Sequence, residues 1–101
     1  MIHVIASIRV KKGRISEFLE IFKSNVPHVR KEKGCLDYFP TTDIDTGLPP
    51  QKLDPNVVTV IEKWETVQSL QDHLKAHHML AYREKTKDIV EDISLKVLKE
   101  A

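Results

Sequence analysis

Three histidines in the second half of the chain, His73, His77 and His78, are the residues best suited to chemistry. A histidine needs little tuning to accept or donate a proton near neutral pH. His73 and His77 are four residues apart, which also suits a zinc pair. The zincin pattern, however, requires a glutamate directly after the first histidine, where this chain has Leu74. No third ligand is evident, so we expect no metal site.

Two of these histidines are candidate catalytic residues. His73 lies at the edge of the apolar stripe of a short predicted helix, where it could be a general base or a half-exposed boundary histidine. His78 follows a predicted break between two helical segments, and the free N–H groups and dipole at a helix start favour an anion. We expect His77 to be solvated.

Hydrophobic periodicity predicts the strands and helices that carry these side chains. Residues 2–10 alternate as a strand with one apolar face, whereas apolar residues recur at helical spacing from Ile15 onward. Pro27 lies inside this helical run, where it predicts a kink or break, and Gly34 is expected just past the helix C-terminus. The later predicted elements are a strand from residue 35 to about 41, a strand over 57–62 closed by Trp64, a short helix capped by Thr66, a second helical segment after His77-His78, and a final strand around Ile93, Leu95 and Val97.

The predicted order is therefore β-α-β-β-α-β, with the second helix in two pieces. This order is typical of the α+β class and of its ferredoxin-like split βαβ fold, in which helices cover one face of an antiparallel sheet. The side chains of Ile5 and Leu98 are expected to point to the opposite face of the sheet from the main apolar side chains of their strands. A second sheet from an identical chain would bury them, so we expect a homodimer with the two sheets face to face.

Residues 42–56 form the longest segment without periodicity and contain three prolines. A connection of this length is uncommon in a compact domain unless it is functional or disordered. Because it carries Ile44, Leu48 and Leu53, we expect this loop to be ordered by packing against the pocket or against the partner chain.

Length and composition exclude several classes of protein. The 101 residues, 41% of them hydrophobic, fit a single domain over residues 1–101. A net charge of +1 disfavours a nucleic-acid partner, and no apolar stretch is long enough to insert into a membrane. No N-terminal secretory signal is evident, so we expect a cytoplasmic protein. The single cysteine, Cys35, cannot form an internal disulfide and is expected to be an inert buried thiol.

Four segments resemble the antibiotic biosynthesis monooxygenase (ABM) family, and together they extend over nearly the whole chain. They are residues 4–10, 34–38, 61–66 and 73–82, and the spacing from Trp64 to His73 and on to His78 is the most specific part. The long loop and Tyr38-Phe39-Pro40 resemble the bacterial quinol monooxygenase branch in particular. The resemblance implies a homodimeric α/β barrel that oxidises quinol-like aromatics with O₂ and without metal, flavin or haem.

The resemblance also implies which residues surround the substrate. Trp64 could be the floor of an aromatic pocket or a packed core residue, and Glu62 could orient a pocket histidine or form a salt bridge at the rim. The other candidates for the pocket wall are Tyr38, Met79 and Tyr82. The charged runs 31–33 and 83–85 are expected to be solvated helix faces.

Two departures from the family limit this transfer. The haem-degrading relatives use an Asn-Trp-His constellation, whose asparagine falls at Ile8 in this chain. Some polyketide-tailoring relatives have an asparagine four residues before the strand tryptophan, where this chain has Val60. Haem breakdown is therefore disfavoured, and a mechanism that depends on that amide does not transfer.

The predicted function is a cofactor-independent monooxygenase acting on a quinol or similar electron-rich phenol. His73 would remove a phenolic proton so that the anion can pass an electron to O₂, and His78 would help to hold the oxyanion. Two other classes stay open. An isomerase of a small phosphorylated carbonyl compound, of the quorum-signal catabolism type, would turn over without oxygen, and a non-catalytic dimeric ligand-binding protein would bind quinones and leave them unchanged.

Overall fold

The computed structural model describes all residues, 1–101, as four strands and three helices. In chain order they are β1 (Ile2–Val10), α1 (Ile15–Arg30), β2 (Cys35–Thr41), β3 (Val57–Trp64), α2 (Val67–Lys75), α3 (His77–Thr86) and β4 (Val90–Leu98). This order confirms the predicted α+β class. The predicted division of the second helix is present too, with the break at Ala76, and the Thr66 side chain caps α2 by accepting from the Ser69 amide.

The four strands form one antiparallel sheet in the order β2-β3-β1-β4, which is the ferredoxin-like arrangement. Ala6 of β1 lies opposite Val60 of β3 on one side and opposite Leu95 of β4 on the other. These three side chains therefore share the face of the sheet that the helices cover. None of the helices has the length and apolar character needed to cross a membrane.

The core forms between this face and α1. Apolar side chains recur at every second residue of the strand and at helical spacing along α1, so each element presents one apolar side to the other. On β1 the alternation predicted from the sequence is confirmed, since Val4, Ala6, Ile8 and Val10 are all buried. From α1 the buried apolar residues are Phe18, Phe22 and Val29. The helix packs against β2 and α3, which ties the two halves of the chain together.

The break predicted at Pro27 is wrong, because α1 continues through it to Arg30. A proline removes one backbone donor, but the residues on both sides of it are held by the core. Phe22 precedes it and Val29 follows it, and neither is exposed to solvent by more than 2%. Packing of the last turn therefore outweighs the lost hydrogen bond.

Gly34 does not end α1, as the sequence suggested, but lies in the turn immediately before β2. It has a φ of +85°, a conformation that favours glycine. Its carbonyl accepts from the Glu65 amide at 2.9 Å, and a Cβ at this position would collide with the Ser69 side chain on α2. Gly34 thus allows the turn after α1 to approach α2 closely.

The helices leave the β4 edge of the sheet partly open. Ile93, Leu95 and Val97 point to the helix side but remain about half exposed, at 54%, 50% and 49%. On the opposite face, a row formed by Ile5, Ile61 and Phe39 crosses three strands with no covering element. The predicted dimer would cover this second face and stays a prediction.

The loop over residues 42–56 does not pack over the pocket of its own chain, so that part of the prediction is wrong. Its aliphatic side chains are exposed, namely Ile44, Leu48 and Leu53. Polar contacts within the loop define its path instead, because Gln51 accepts from Thr46 and donates to the Ile44 carbonyl. The alternative, packing against a partner chain, stays a prediction.

Candidate active site

A cavity of about 430 Å³ lies between the helix-covered face of the sheet and helices α2 and α3. Most of its wall is apolar, with Ile8 and Leu95 contributed by the sheet and Phe22 by α1. Five of the seven predicted site residues line it, namely Tyr38, Glu62, His73, Met79 and Tyr82. Concave, largely apolar pockets with a few convergent polar groups are typical of small-molecule sites.

His73 is positioned by its packing against aromatic rings. It lies on α2 with only 2% of its surface exposed, and its ring centroid is 4.7 Å from that of Trp64 and 5.4 Å from that of Tyr38, with which it makes an edge-to-face contact. The expectation of a half-exposed boundary histidine is therefore wrong. Burial lowers the pKa of His73, and the neighbouring carboxylate of Glu32 partly opposes this shift.

The tautomer of His73 follows from its single polar partner. Its Nδ1 is 2.9 Å from Oε2 of Glu32, and an ionised carboxylate can only accept, so Nδ1 carries the proton. The other nitrogen, Nε2, makes no hydrogen bond within the chain. Every fully buried side-chain nitrogen or oxygen has a hydrogen-bond partner, so Nε2, which has none, is not fully buried. Nε2 is therefore an unprotonated acceptor accessible from the cavity, which is the state that a general base requires.

Glu32 is a site residue that the sequence analysis missed. The run 31–33 was expected to be solvated, but the Glu32 side chain is only 13% exposed. Its backbone is fixed in the turn after α1, where its amide donates to the Val29 carbonyl and its own carbonyl accepts from Cys35. One acid among basic neighbours gives no signal in the sequence, because its burial depends on helices that arrive about forty residues later in the chain.

His78 contacts the same carboxylate oxygen from the other side. Its Nε2 lies 2.6 Å from Oε2 of Glu32, and its side chain is 27% exposed. It does not line the large cavity but a smaller surface pocket, beside Ser24 and Lys85, with its ring 5.9 Å from that of His28. The position expected for His78, next to a substrate oxygen, is therefore wrong for this cavity.

Trp64 also lies outside the cavity wall. It is fully buried behind His73, and its indole Nε1 donates to Oε1 of Glu62 at 3.0 Å. Its place corresponds to the packed-core alternative rather than to the pocket floor. It acts on the site indirectly, by holding the His73 ring on one side and the Glu62 carboxylate on the other.

Glu62 is a second titratable group of the cavity. It is 7% exposed and bonded to Trp64 rather than to a histidine or to a basic residue at the rim, so neither predicted role matches its contacts. Burial raises the pKa of Glu62 to about 7, against the opposing effect of the Trp64 hydrogen bond. The carboxyl group therefore changes charge near neutral pH.

The aromatic wall consists of neutral rings in contact. Phe22 stacks on Tyr38 at 5.5 Å and meets Tyr82 edge to face at 5.7 Å. Burial raises the pKa of both tyrosines far above neutrality, so both remain phenols. Met79 completes this side, and its sulfur accepts a weak hydrogen bond from Asn25 at 3.4 Å.

Two cationic side chains, Arg83 and Lys87, lie at the edge of the cavity. The Arg83 guanidinium donates to the Leu74 carbonyl at 2.6 Å, so this part of the run 83–85 is anchored rather than free in solvent.

Outside the cavity, Cys35 is half-buried, and burial raises the pKa of its thiol to about 11, which leaves it protonated. No group of three or more His, Cys, Asp or Glu side chains has a geometry that could hold a metal ion.

Comparison with known proteins agrees with this architecture. The chain matches the model of the antibiotic biosynthesis monooxygenase family over residues 1–85. A protein of Escherichia coli strain K12, named probable quinol monooxygenase YgiN, is 37% identical over 100 residues, which are 97% of this chain and 96% of that protein.

Solved structures of low sequence identity share the fold. A conserved protein from Methanosarcina mazei Go1 has a TM-score of 0.84 at 23% identity, covering 99% of this chain and 92% of that one. PA3566 from Pseudomonas aeruginosa has a TM-score of 0.82 at 21% identity, covering 99% and 93%. With the family match over most of its length, the chain belongs to the antibiotic biosynthesis monooxygenase family and is a monooxygenase, an enzyme of the oxidoreductase class.

Proposed function

We propose that this enzyme oxidises a quinol or a similar electron-rich phenol with O₂, and that it does so without a metal, flavin or haem. One observation carries the proposal. His73 faces an apolar cavity, its Nδ1 is held by the Glu32 carboxylate, and its Nε2 is free to accept a proton. The similarity to a protein named as a quinol monooxygenase supports the same substrate class.

The chemistry requires only what the cavity residues supply, because the substrate is its own reductant. Removal of a phenolic proton by Nε2 of His73 makes the ring a stronger electron donor toward O₂. One oxygen atom enters the ring and the other leaves as water, so that a quinol and O₂ give a hydroxyquinone and water. All four electrons that O₂ gains come from the quinol, and no external reductant is needed.

The shape and polarity of the cavity support an aromatic substrate. A volume of about 430 Å³ is within the range of small-molecule sites and suits one or two fused rings. Phe22, Tyr38 and Tyr82 offer ring surfaces, and their neutral state leaves the cavity interior of low polarity. In such surroundings a phenolate is poorly solvated, which favours transfer of its electron to O₂.

We infer that the active form is a homodimer with the two sheets face to face, as in a dimeric α/β barrel. The supporting observation is the row of Ile5, Ile61 and Phe39 on the face without helices, of which Ile61 is 36% exposed. An apolar row across three strands is the kind of surface that an identical sheet would bury.

The proposal is tested by oxygen uptake with a panel of reduced naphthoquinones, using protein stripped of metals with a chelator. We expect consumption of one O₂ per quinol and transfer of one atom of isotopically labelled O₂ into the product. Binding of the quinol with no uptake beyond its spontaneous oxidation would overturn the proposal in favour of a ligand-binding protein. Conversion of a phosphorylated carbonyl compound under nitrogen would overturn it in favour of an isomerase.

A further inference from the structure

One carboxylate oxygen joins two histidines that face different sides of the protein. Oε2 of Glu32 lies 2.9 Å from Nδ1 of His73 and 2.6 Å from Nε2 of His78. His73 lines the cavity and is 2% exposed, whereas His78 lines a separate surface pocket and is 27% exposed. The three side chains form a continuous path from the cavity to the surface.

We propose that His73, Glu32 and His78 conduct protons between the cavity and solvent, with His78 as the group that exchanges with water. This inference rests on the proposed function, because it assigns a route for the proton that His73 takes from the phenol. His78 is then a positioning and exchange residue, without contact to the substrate.

The need for such a route follows from the position of the base. His73 lines the cavity and is only 2% exposed, so an aromatic substrate bound against Nε2 would separate this atom from bulk water. The proton removed from the phenol is required again when the second oxygen atom leaves as water. A path through Nδ1 lets His73 equilibrate with solvent in both directions while the cavity stays filled.

Each transfer along the path breaks one bond to hydrogen and forms another. Nε2 of His73 takes the phenolic proton, and the Nδ1 proton passes to Oε2 of Glu32. While Glu32 is ionised, Nε2 of His78 carries the proton that Oε2 accepts. His78 is exposed enough to exchange its ring protons with water and so to reach its Nδ1–H tautomer, which accepts the Glu32 proton at Nε2 and releases the Nδ1 proton. The reverse sequence returns a proton for water formation, so no net charge is released per turnover.

The charged neighbours of the path lie at its two ends. Near His73 they are Arg83 of α3, which adds positive charge and opposes a second one on the ring, and the Glu32 carboxylate, which favours it. Beside His78 lie the cationic Lys85 of α3 and the titratable ring of His28 of α1.

The test replaces His78 by glutamine and uses His77→Gln as the matched control, since His77 is the adjacent histidine, is exposed and has no side-chain hydrogen bond. In dilute, weakly basic buffer we expect His78→Gln to lower kcat about tenfold or more with KM unchanged, and His77→Gln to keep both values. Added imidazole should restore the turnover of His78→Gln by taking the proton from Glu32. Wild-type kcat in His78→Gln at every buffer concentration would overturn the path.

A second variant checks the middle of the path. Glu32→Gln should also lower kcat, but imidazole should not restore it, because the missing step lies between the two histidines. Equal rescue of both variants would contradict a path through Glu32. Melting temperatures of all variants separate these effects from unfolding.

A measurement that needs no turnover distinguishes failure of the path from failure of the proposed function. With an oxidised naphthoquinone filling the cavity, NMR can report exchange of the Nδ1–H proton of His73 with water. We expect this exchange to slow about tenfold or more in His78→Gln and to keep the wild-type rate in His77→Gln. Unchanged exchange in His78→Gln would overturn the path, whatever the enzyme oxidises.

Discussion

Oε2 of Glu32 and Nδ1 of His73 lie 2.9 Å apart, although the two residues are separated by 41 positions in the chain. The contact links the turn after α1 to the last turn of α2 and determines the tautomer of the histidine. A histidine buried against Trp64 without this partner would keep the same place in the core but would have no defined proton acceptor toward the cavity. The carboxylate therefore turns a buried ring into a candidate base.

The first prediction concerns His73 as the base. His73→Gln keeps a polar group of similar size and removes proton acceptance near neutral pH, so quinol-dependent oxygen uptake should fall by about 10²–10⁴. Part of the activity should return at high pH, where solvent deprotonates the phenol unaided. The measurement is oxygen uptake per folded molecule from about pH 6 to 9, alongside the melting temperature. Wild-type turnover of the folded variant over this range would exclude His73 as the base.

A second prediction concerns Glu62 and the pH dependence of stability. The folded protein has a raised pKa of about 7 for this group against an ordinary value of 4.5, so between these values it binds more protons than the unfolded chain. The free energy of unfolding should therefore fall as the pH rises through this window, by up to a few kcal/mol.

Glu62→Gln tests this dependence because its amide oxygen can still accept from the Trp64 indole. The variant should be about 1–3 kcal/mol more stable than the wild type near pH 8, and this advantage should shrink toward pH 4. Urea unfolding at both pH values measures the difference. An advantage of equal size at both would show that burial of the charge is not its cause.

The third prediction compares two glycines with similar backbone conformations. Gly13 and Gly34 have φ values of +80° and +85°, but a Cβ at Gly13 meets open space whereas one at Gly34 collides with Ser69. Gly13→Ala should cost about 1 kcal/mol from strain alone, and Gly34→Ala should cost a further 1–3 kcal/mol or so. Chemical unfolding measures both values, and equal losses would contradict a close approach between the turn and α2.

A fourth prediction tests the homodimer. Ile61→Lys places a charge in the apolar row on the uncovered face, where burial against a second sheet would be costly, so the variant should sediment as a monomer at micromolar concentration. Val67→Lys makes the same change at an exposed position on α2 and should leave the dimer intact. A wild-type monomer at this concentration, or a dimer of Ile61→Lys as tight as the wild type, would argue against face-to-face sheets.

The fifth prediction concerns the loop over residues 42–56. If Ile44, Leu48 and Leu53 pack against a partner chain, their amides should exchange more slowly in the wild-type dimer than in Ile61→Lys. Hydrogen exchange followed by mass spectrometry of loop peptides makes the comparison. Equal and rapid exchange in both proteins would show that the loop covers nothing.

The element order, the core face of β1 and the cap of α2 follow from the amino-acid sequence alone, because each depends on residues within a few positions of one another. Alternation along residues 2–10 predicts the buried side of that strand, and Thr66 needs only the amide of Ser69, three residues away. The edge of the apolar stripe on α2 identified His73 as a candidate, whereas Tyr38 and Tyr82 were implied by the family resemblance, and all three line the cavity.

Which of these side chains share a site depends on long-range packing. Glu32 acquires its role because α2 and α3 bring histidines from 41 and 46 positions away to the turn after α1. The same packing turns His78 toward the surface and places Trp64 behind the base rather than in the cavity wall. No local pattern predicts these outcomes, since a charged residue in a basic run is normally solvated and its burial is stabilised only by partners that arrive from distant parts of the chain.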